Sequence, residues 1–164
     1  MFETNKISKL LDIKYPIFQG GMAWASSGKL ACSVSNAGGL GIIGCAGREA
    51  KWVLNEIKYV KNNTSNPIGL NVALNDENAV NIIEIAVEND IKHFTMGGAN
   101  TYLKLISRFS KDVLIIPVVG SAMEAKLAER AGAKSIICEG QESGGSIGRL
   151  SLFSLLPQVV DAVK

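Results

Sequence analysis

Apolar positions along this chain fall into a repeating pattern. A short run rich in β-branched residues comes first, then a longer stretch of helical periodicity, then glycine. The short runs predict strands at Pro16–Phe18, Leu40–Ile43, Ile68–Val72, His93–Thr95, Val113–Val118 and Lys134–Cys138. Helices are expected between them, near 27–37, 49–61, 77–89, 100–109, 121–131 and 154–163. Ala50, Val53, Leu54, Ile57 and Val60 share one helical face, as do Ala79, Ile82, Ile83 and Ala86. Ser121-Ala-Met-Glu124 has the spacing of a capping box, and Gly38 and Gly132 stand where a helix would end in a left-handed residue. Pro157 fits a helix that begins near Ser154, with the proline in its first turn.

Strands this short and uniformly apolar, each followed by a helix, belong to parallel βα units buried on both faces, so the class is α/β. A unit length of about 24 residues suits either a six-stranded open sheet or a (β/α)8 barrel with about six of its eight units. Composition adds limits. With 164 residues, 47% of them hydrophobic and 20% charged, one domain with a substantial core is expected. Lys and Arg number 17 against 15 acidic residues and are scattered singly, which argues against a nucleic-acid partner. No apolar run approaches the ~18–20 residues of a membrane helix, and the first residues lack the layout of a secretion signal. Cys32, Cys45 and Cys138 are odd in number and widely spaced, which fits a reducing cytoplasm and supplies neither a disulfide framework nor a zinc site.

Gly39-Leu-Gly41-Ile-Ile-Gly44 matches a dinucleotide-binding pattern, but that mechanism needs a strand before the glycines, and here the strand lies within them. More informative are the polar and glycine residues at predicted strand ends: Gln19-Gly-Gly-Met22, Gly69-Leu-Asn71, Thr95-Met-Gly-Gly-Ala-Asn100 and Glu139-Gly-Gln-Glu-Ser-Gly-Gly-Ser-Ile-Gly148. In parallel α/β folds these ends carry the chemistry, and glycine lets backbone amides approach a flat or anionic ligand. Each loop read singly is equally a tight turn. His93, the only histidine, falls within a strand and reads as structural. Glu139 and Glu142 are an acid–base pair or a solvated loop. Cys45 and Cys138 lie at strand ends without a neighbouring base, and Trp24 and Trp52 read as core or rim anchors.

Tyr15-Pro-Ile-Phe-Gln-Gly-Gly-Met22, Ser35-Asn-Ala-Gly-Gly-Leu-Gly-Ile-Ile-Gly44, the Glu139–Gly148 segment and Pro157-Gln-Val-Val-Asp-Ala-Val163 resemble the FMN-dependent enoyl-ACP reductase II and nitronate monooxygenase family. The likeness runs from Ile13 to the C-terminus. It implies a flavin-binding (β/α)8 TIM barrel, of which this chain would be the N-terminal three quarters. It further implies FMN as cofactor, with Gly20, Gly21 and Met22 against the flavin ring, Asn71 at its polar edge, Glu139 touching ring or ribityl, and Gly144 and Gly145 closing over it. NAD(P)H would be a possible electron donor, and the substrate a small nitronate or an acyl thioester. Where the family carries its catalytic histidine, this chain has Ser146, whose hydroxyl cannot exchange protons near neutral pH. The flavin phosphate is expected on units beyond the sixth. A truncated or split reading frame follows as an expectation, completed by a second chain or by another copy in a homo-oligomer. A fragment that keeps the fold and has lost catalysis is the alternative.

Overall fold

A computed structural model describes residues 5–98, 102–109 and 113–164. The chain divides into two compact units, Met1–Thr95 and Met96–Lys164. The elements alternate as α1 (Lys6–Leu11), α2 (Gly28–Asn36), β1 (Gly41–Gly44), α3 (Ala50–Asn63), β2 (Ile68–Ala73), α4 (Ala79–Glu88), β3 (His93–Gly97), α5 (Tyr102–Phe109), β4 (Leu114–Val119), α6 (Ala122–Arg130), β5 (Ile137–Cys138) and α7 (Leu152–Ala162). The strands follow one another in the order β1-β2-β3-β4-β5, with no reversal of the kind that marks a doubly wound sheet.

In the first unit β1 and β2 pair in parallel, with Gly41 opposite Ile68 and Gly44 opposite Asn71. Both predicted helical faces face inward: Val53, Ile57 and Val60 of α3, and Ala79, Ile82, Ile83 and Ala86 of α4, are buried. The N-terminus of α2 is capped from a distance, since the Gly28 amide donates to Glu56 Oε2 at 2.6 Å. Helix α2 lies so close to β1 that a Cβ on Gly41 would overlap the Ala31 carbonyl. Ser35, on the same helix, accepts from the Gly41 amide (3.0 Å) and donates to the Pro67 carbonyl (2.7 Å), tying the starts of β1 and β2 together.

Three expectations need correction. The strand at Pro16–Phe18 is a single bridge from Phe18 to Leu40, which leaves five strands in place of six. Pro16 offers no amide and the Ile17 amide turns back to the Tyr15 carbonyl, so no longer ladder forms. The last strand, expected over Lys134–Cys138, is only Ile137–Cys138, because the end of α6 is closed by Gly132 (φ +100°) and by the Ala133 amide donating to the Ala128 carbonyl. The C-terminal helix begins at Leu152, so Pro157 lies inside it; the Phe153 carbonyl it leaves unpartnered belongs to an exposed residue and can meet water. Helix α1, absent from the sequence pattern, forms because Asn5 Oδ1 caps the Ile7 and Ser8 amides. The start of the helix expected at 100–109 lies outside the described residues; its remainder is α5.

In the second unit Val118 and Val119 of β4 pair with Ile137 and Cys138. Val119, Ala125, Leu155 and Val159 form a buried cluster. The capping box at Ser121 is present in shifted form: Ser121 Oγ accepts from the Glu124 amide, while the Glu124 carboxylate takes the Gly120 amide. Helix α7 is apolar well beyond its buried side, for Phe153 (95% exposed), Leu156 and Val160 (63%) point outward. No helix among the described residues is long and apolar enough to cross a membrane.

The backbone contact at Gly41 yields to nothing flexible. Gly41→Ala is expected to lose about 3 kcal/mol in urea denaturation. Ser35→Ala, which strands a buried amide, should lose about 1–3 kcal/mol.

Candidate functional site

The chain after Phe18 carries two consecutive glycines, yet one buried hydroxyl shapes it. Ser26 Oγ accepts from the Met22 amide (3.0 Å) and from Gln19 Nε2 (2.8 Å), and donates to the Gly20 carbonyl (3.2 Å). Gln19 Nε2 also reaches the Ile42 carbonyl at 2.7 Å, pinning the loop to β1. A Cβ on Gly44 would meet the Met22 carbonyl at 2.7 Å, so the loop rests on the C-terminal end of that strand.

Asn71 stands near the end of β2, where the Cys45 amide donates to its carbonyl. Its Nδ2 donates to Thr95 Oγ1 (2.9 Å), within β3. Thr95 is 3% exposed, so the side-chain amide is held from behind. Its other edge lies over Gly21, where a Cβ would overlap Asn71 Cβ and Cγ. Around Gly20 nothing lies within 4 Å of where a Cβ would be. Gln19 Oε1 is buried and has no hydrogen-bond partner among the described residues. The first unit therefore brings Gly20, Gly21, Met22 and Asn71 together.

The second unit holds the other predicted residues. Glu139 follows β5, its amide bound to the Val119 carbonyl. Ser143 Oγ lies 2.9 Å from both Glu139 Oε1 and the Ser146 carbonyl. Glu142 is occupied differently: both carboxylate oxygens accept the Leu152 amide, at 2.8 and 3.0 Å, so it caps α7 and is not a catalytic partner of Glu139. Gly148 is required for closure, since a Cβ there would collide with the Glu139 carbonyl. Gly144 and Gly145 (φ +83°) project into open space, and the Ser146 side chain is exposed.

The remaining candidates are structural. Cys45 is 1% exposed, and burial, with Asp76 adding repulsion, pushes its thiol up to about 12. His93 lies in β3; burial lowers its pKa, opposed by a hydrogen bond with the Ile68 backbone. Sequence reasoning missed Ser26, which supports the site from behind and belongs to no motif; Thr95 was named at a strand end, but its hold on Asn71 was not foreseen. It also missed the pairing of Arg48 with both tryptophans.

Parallel strands in sequence order, with glycine-rich polar turns after them, are the arrangement of a βα barrel, a class of protein whose sites commonly lie at the strand ends. The family model described as nitronate monooxygenase matches residues 4–111 and 83–164. This chain belongs to that family. It is similar to the (3aS,4S,5R,7aS)-5-hydroxy-7a-methyl-1-oxo-octahydro-1H-indene-4-carboxyl-CoA dehydrogenase of Mycobacterium tuberculosis, 31% identical over 96% of this chain and 44% of that protein. A probable nitronate monooxygenase of Staphylococcus aureus is 32% identical over 99% of this chain and 59% of its own length. Among solved structures, FabK from Thermotoga maritima superposes with a TM-score of 0.93 at 38% identity, covering 96% of this chain and 51% of that one. The fold is thus a partial TIM barrel, and the chain spans about half the length of the relatives it matches.

Two predictions test these supports. Ser26→Ala should cost about 1–3 kcal/mol and raise the rate of proteolysis within residues 19–24, read by limited digestion and mass spectrometry. His93 is more readily protonated unfolded than folded. Stability on its account is therefore complete above its ordinary pKa of about 6.5 and falls as pH drops below that value, levelling off below the lowered folded pKa. His93→Gln should flatten the decline of the urea midpoint between about pH 6.5 and 5 relative to wild type.

Proposed function

We propose that this chain is the flavin-ring-binding part of an FMN-dependent oxidoreductase that reduces an enoyl thioester with NAD(P)H or oxidises a nitronate. The observation that carries this reading is the cradle of the first unit: open space at Gly20, and Gly21 seated on Asn71, whose side-chain amide Thr95 holds. A flat heterocycle with polar edges fits such a surface. When bound, FMN supplies the two-electron transfer between donor and substrate. Gly20 and Gly21 would admit the ring at backbone distance, Met22 would cover part of one face, and Asn71, oriented by Thr95, would hydrogen-bond its polar edge. Glu139, Gly144 and Gly145 are proposed flavin contacts on the family resemblance, with Glu139 restrained by Ser143.

Ser146 favours a second reading, a chain with impaired catalysis. A hydroxyl in place of imidazole can donate a hydrogen bond but cannot hold and return a proton at neutral pH, a role worth about 10²–10⁴-fold. The curated relatives carry about as much sequence again as this chain. The outward apolar side of α7, formed by Leu152, Phe153, Leu156 and Val160 and roughly 100° wide at about 100° per residue, supports a role as a face on which further polypeptide packs.

Purified chain titrated with FMN should quench flavin fluorescence saturably. Gly21→Ala, which drives a methyl into Asn71, and Asn71→Ala should each weaken binding at least about tenfold, about 1.4 kcal/mol. Undiminished FMN binding by both variants, or no binding by the wild type, defeats the cradle. Ser146→His should raise NAD(P)H oxidation if the missing proton carrier limits turnover, and leave it unchanged if the chain is catalytically silent for other reasons.

A further inference from the structure

Beside the glycine cradle, in the same unit, lies a cation whose surroundings no step above uses. Arg48 follows β1 and precedes α3. Its guanidinium carbon sits 4.2 Å from the ring centre of Trp24 and 4.3 Å from that of Trp52. Arg48 Nε donates to the Ala23 carbonyl at 2.9 Å, and its amide donates to the Cys45 carbonyl. The side chain is thus clamped by two indoles and a backbone acceptor from the loop that also carries Gly20 and Gly21. Among the described residues no carboxylate lies within 4.0 Å of the guanidinium. The nearby Asp76 is turned to amides, taking those of Gly47 and Asn78.

A guanidinium has five N–H donors in one plane. One is used here, and the two terminal nitrogens have no hydrogen-bond partner among the described residues. Indoles stabilise the cation without neutralising it, and the pre-organised fork loses little freedom when it grips two oxygens of an anion. Trp24 is 78% exposed. Such an indole is a costly residue to leave in water, and it offers a stacking surface beside a charged fork.

We propose that Arg48, held between Trp24 and Trp52, is a receptor for the phosphate ester of an adenine-bearing coenzyme, with exposed Trp24 stacking on its base. Proximity to the cradle loop makes this the place where a phosphate-bearing reaction partner would be gripped while its reactive end reaches toward the loop; that last clause rests on the flavin reading, whereas the receptor does not. The shared chemistry, phosphate joined to adenosine, occurs in both nicotinamide dinucleotides and coenzyme A.

Trp24 and Trp52 are the chain's two tryptophans, so fluorescence under tryptophan-selective excitation reports this site. The purified chain is titrated with NAD⁺, coenzyme A, AMP, adenosine and pantetheine, without FMN and again with it. Saturable quenching by AMP and by NAD⁺ or coenzyme A is expected, with adenosine and pantetheine at least about tenfold weaker, about 1.4 kcal/mol. Tight binding of only NAD⁺ or only coenzyme A supports the proposal and identifies the source. Arg48→Gln should weaken AMP binding at least about tenfold, and Arg48→Lys should fall between, keeping charge without the planar fork. Equal affinity for AMP and adenosine overturns the proposal even if neither variant folds. So does wild-type affinity in Arg48→Gln, or absence of saturation by every phosphate-bearing probe. AMP binding without FMN binding leaves the receptor standing and removes the flavin reading.

Discussion

One buried hydroxyl decides the form of the candidate site. A segment with two successive glycines has more backbone freedom than any other pair of residues would allow, and ordering it is correspondingly costly. Ser26 Oγ meets that cost by binding at three points across residues 19–22, and Gln19 extends the same network to the Ile42 carbonyl. The loop is thereby set on the end of β1, close enough that Gly44 can carry no side chain beneath it. Gly21 then meets Asn71, whose own orientation comes from Thr95 on β3. Every contact the cradle could make with a flat ligand passes through this chain of donors and acceptors.

The second unit solves a comparable problem with carboxylates. Residues 139–151 form a long excursion between a two-residue strand and a helix, and two acidic side chains close it in different ways. Glu142 answers the unpaired amide at the start of α7, where negative charge also meets the positive end of the helix. Glu139 meets the Ser143 hydroxyl, and its carbonyl lies against Gly148. Two glutamates three residues apart thus part company: one is used up by the backbone, and the other keeps a carboxylate with a single side-chain partner.

Much of the fold was legible because its signals are local. The faces of α3 and α4 show in the spacing of Val53, Ile57 and Val60 and of Ala79, Ile82, Ile83 and Ala86, and those residues are buried. Gly38 and Gly132 take the positive φ expected of helix ends. Strand extent was less legible, because a strand exists only where its neighbour offers partners. Pro16–Phe18 has the composition of a strand and forms a single bridge; Lys134–Ile136 follows the turn that closes α6 at Ala133, and only Ile137 and Cys138 pair with β4. Arg48 carried no signal at all, since its meaning depends on Trp24 and Trp52, twenty-four and four positions away in opposite directions along the chain.

The order of residues alone determined the α/β class, the inward faces of the helices and the glycine-rich character of the strand ends, because periodicity and the absence of Cβ atoms are properties of short segments. Only the folded chain decided which polar groups are consumed by the backbone and which are left without a partner. Glu142 became a cap, Ser26 a hub, and Gln19 Oε1 an acceptor without a donor, since each outcome depends on atoms brought near by long-range packing. A hydrogen bond is set by distances of a few tenths of an ångström, and no pattern of residue types encodes those until the strands and helices have met.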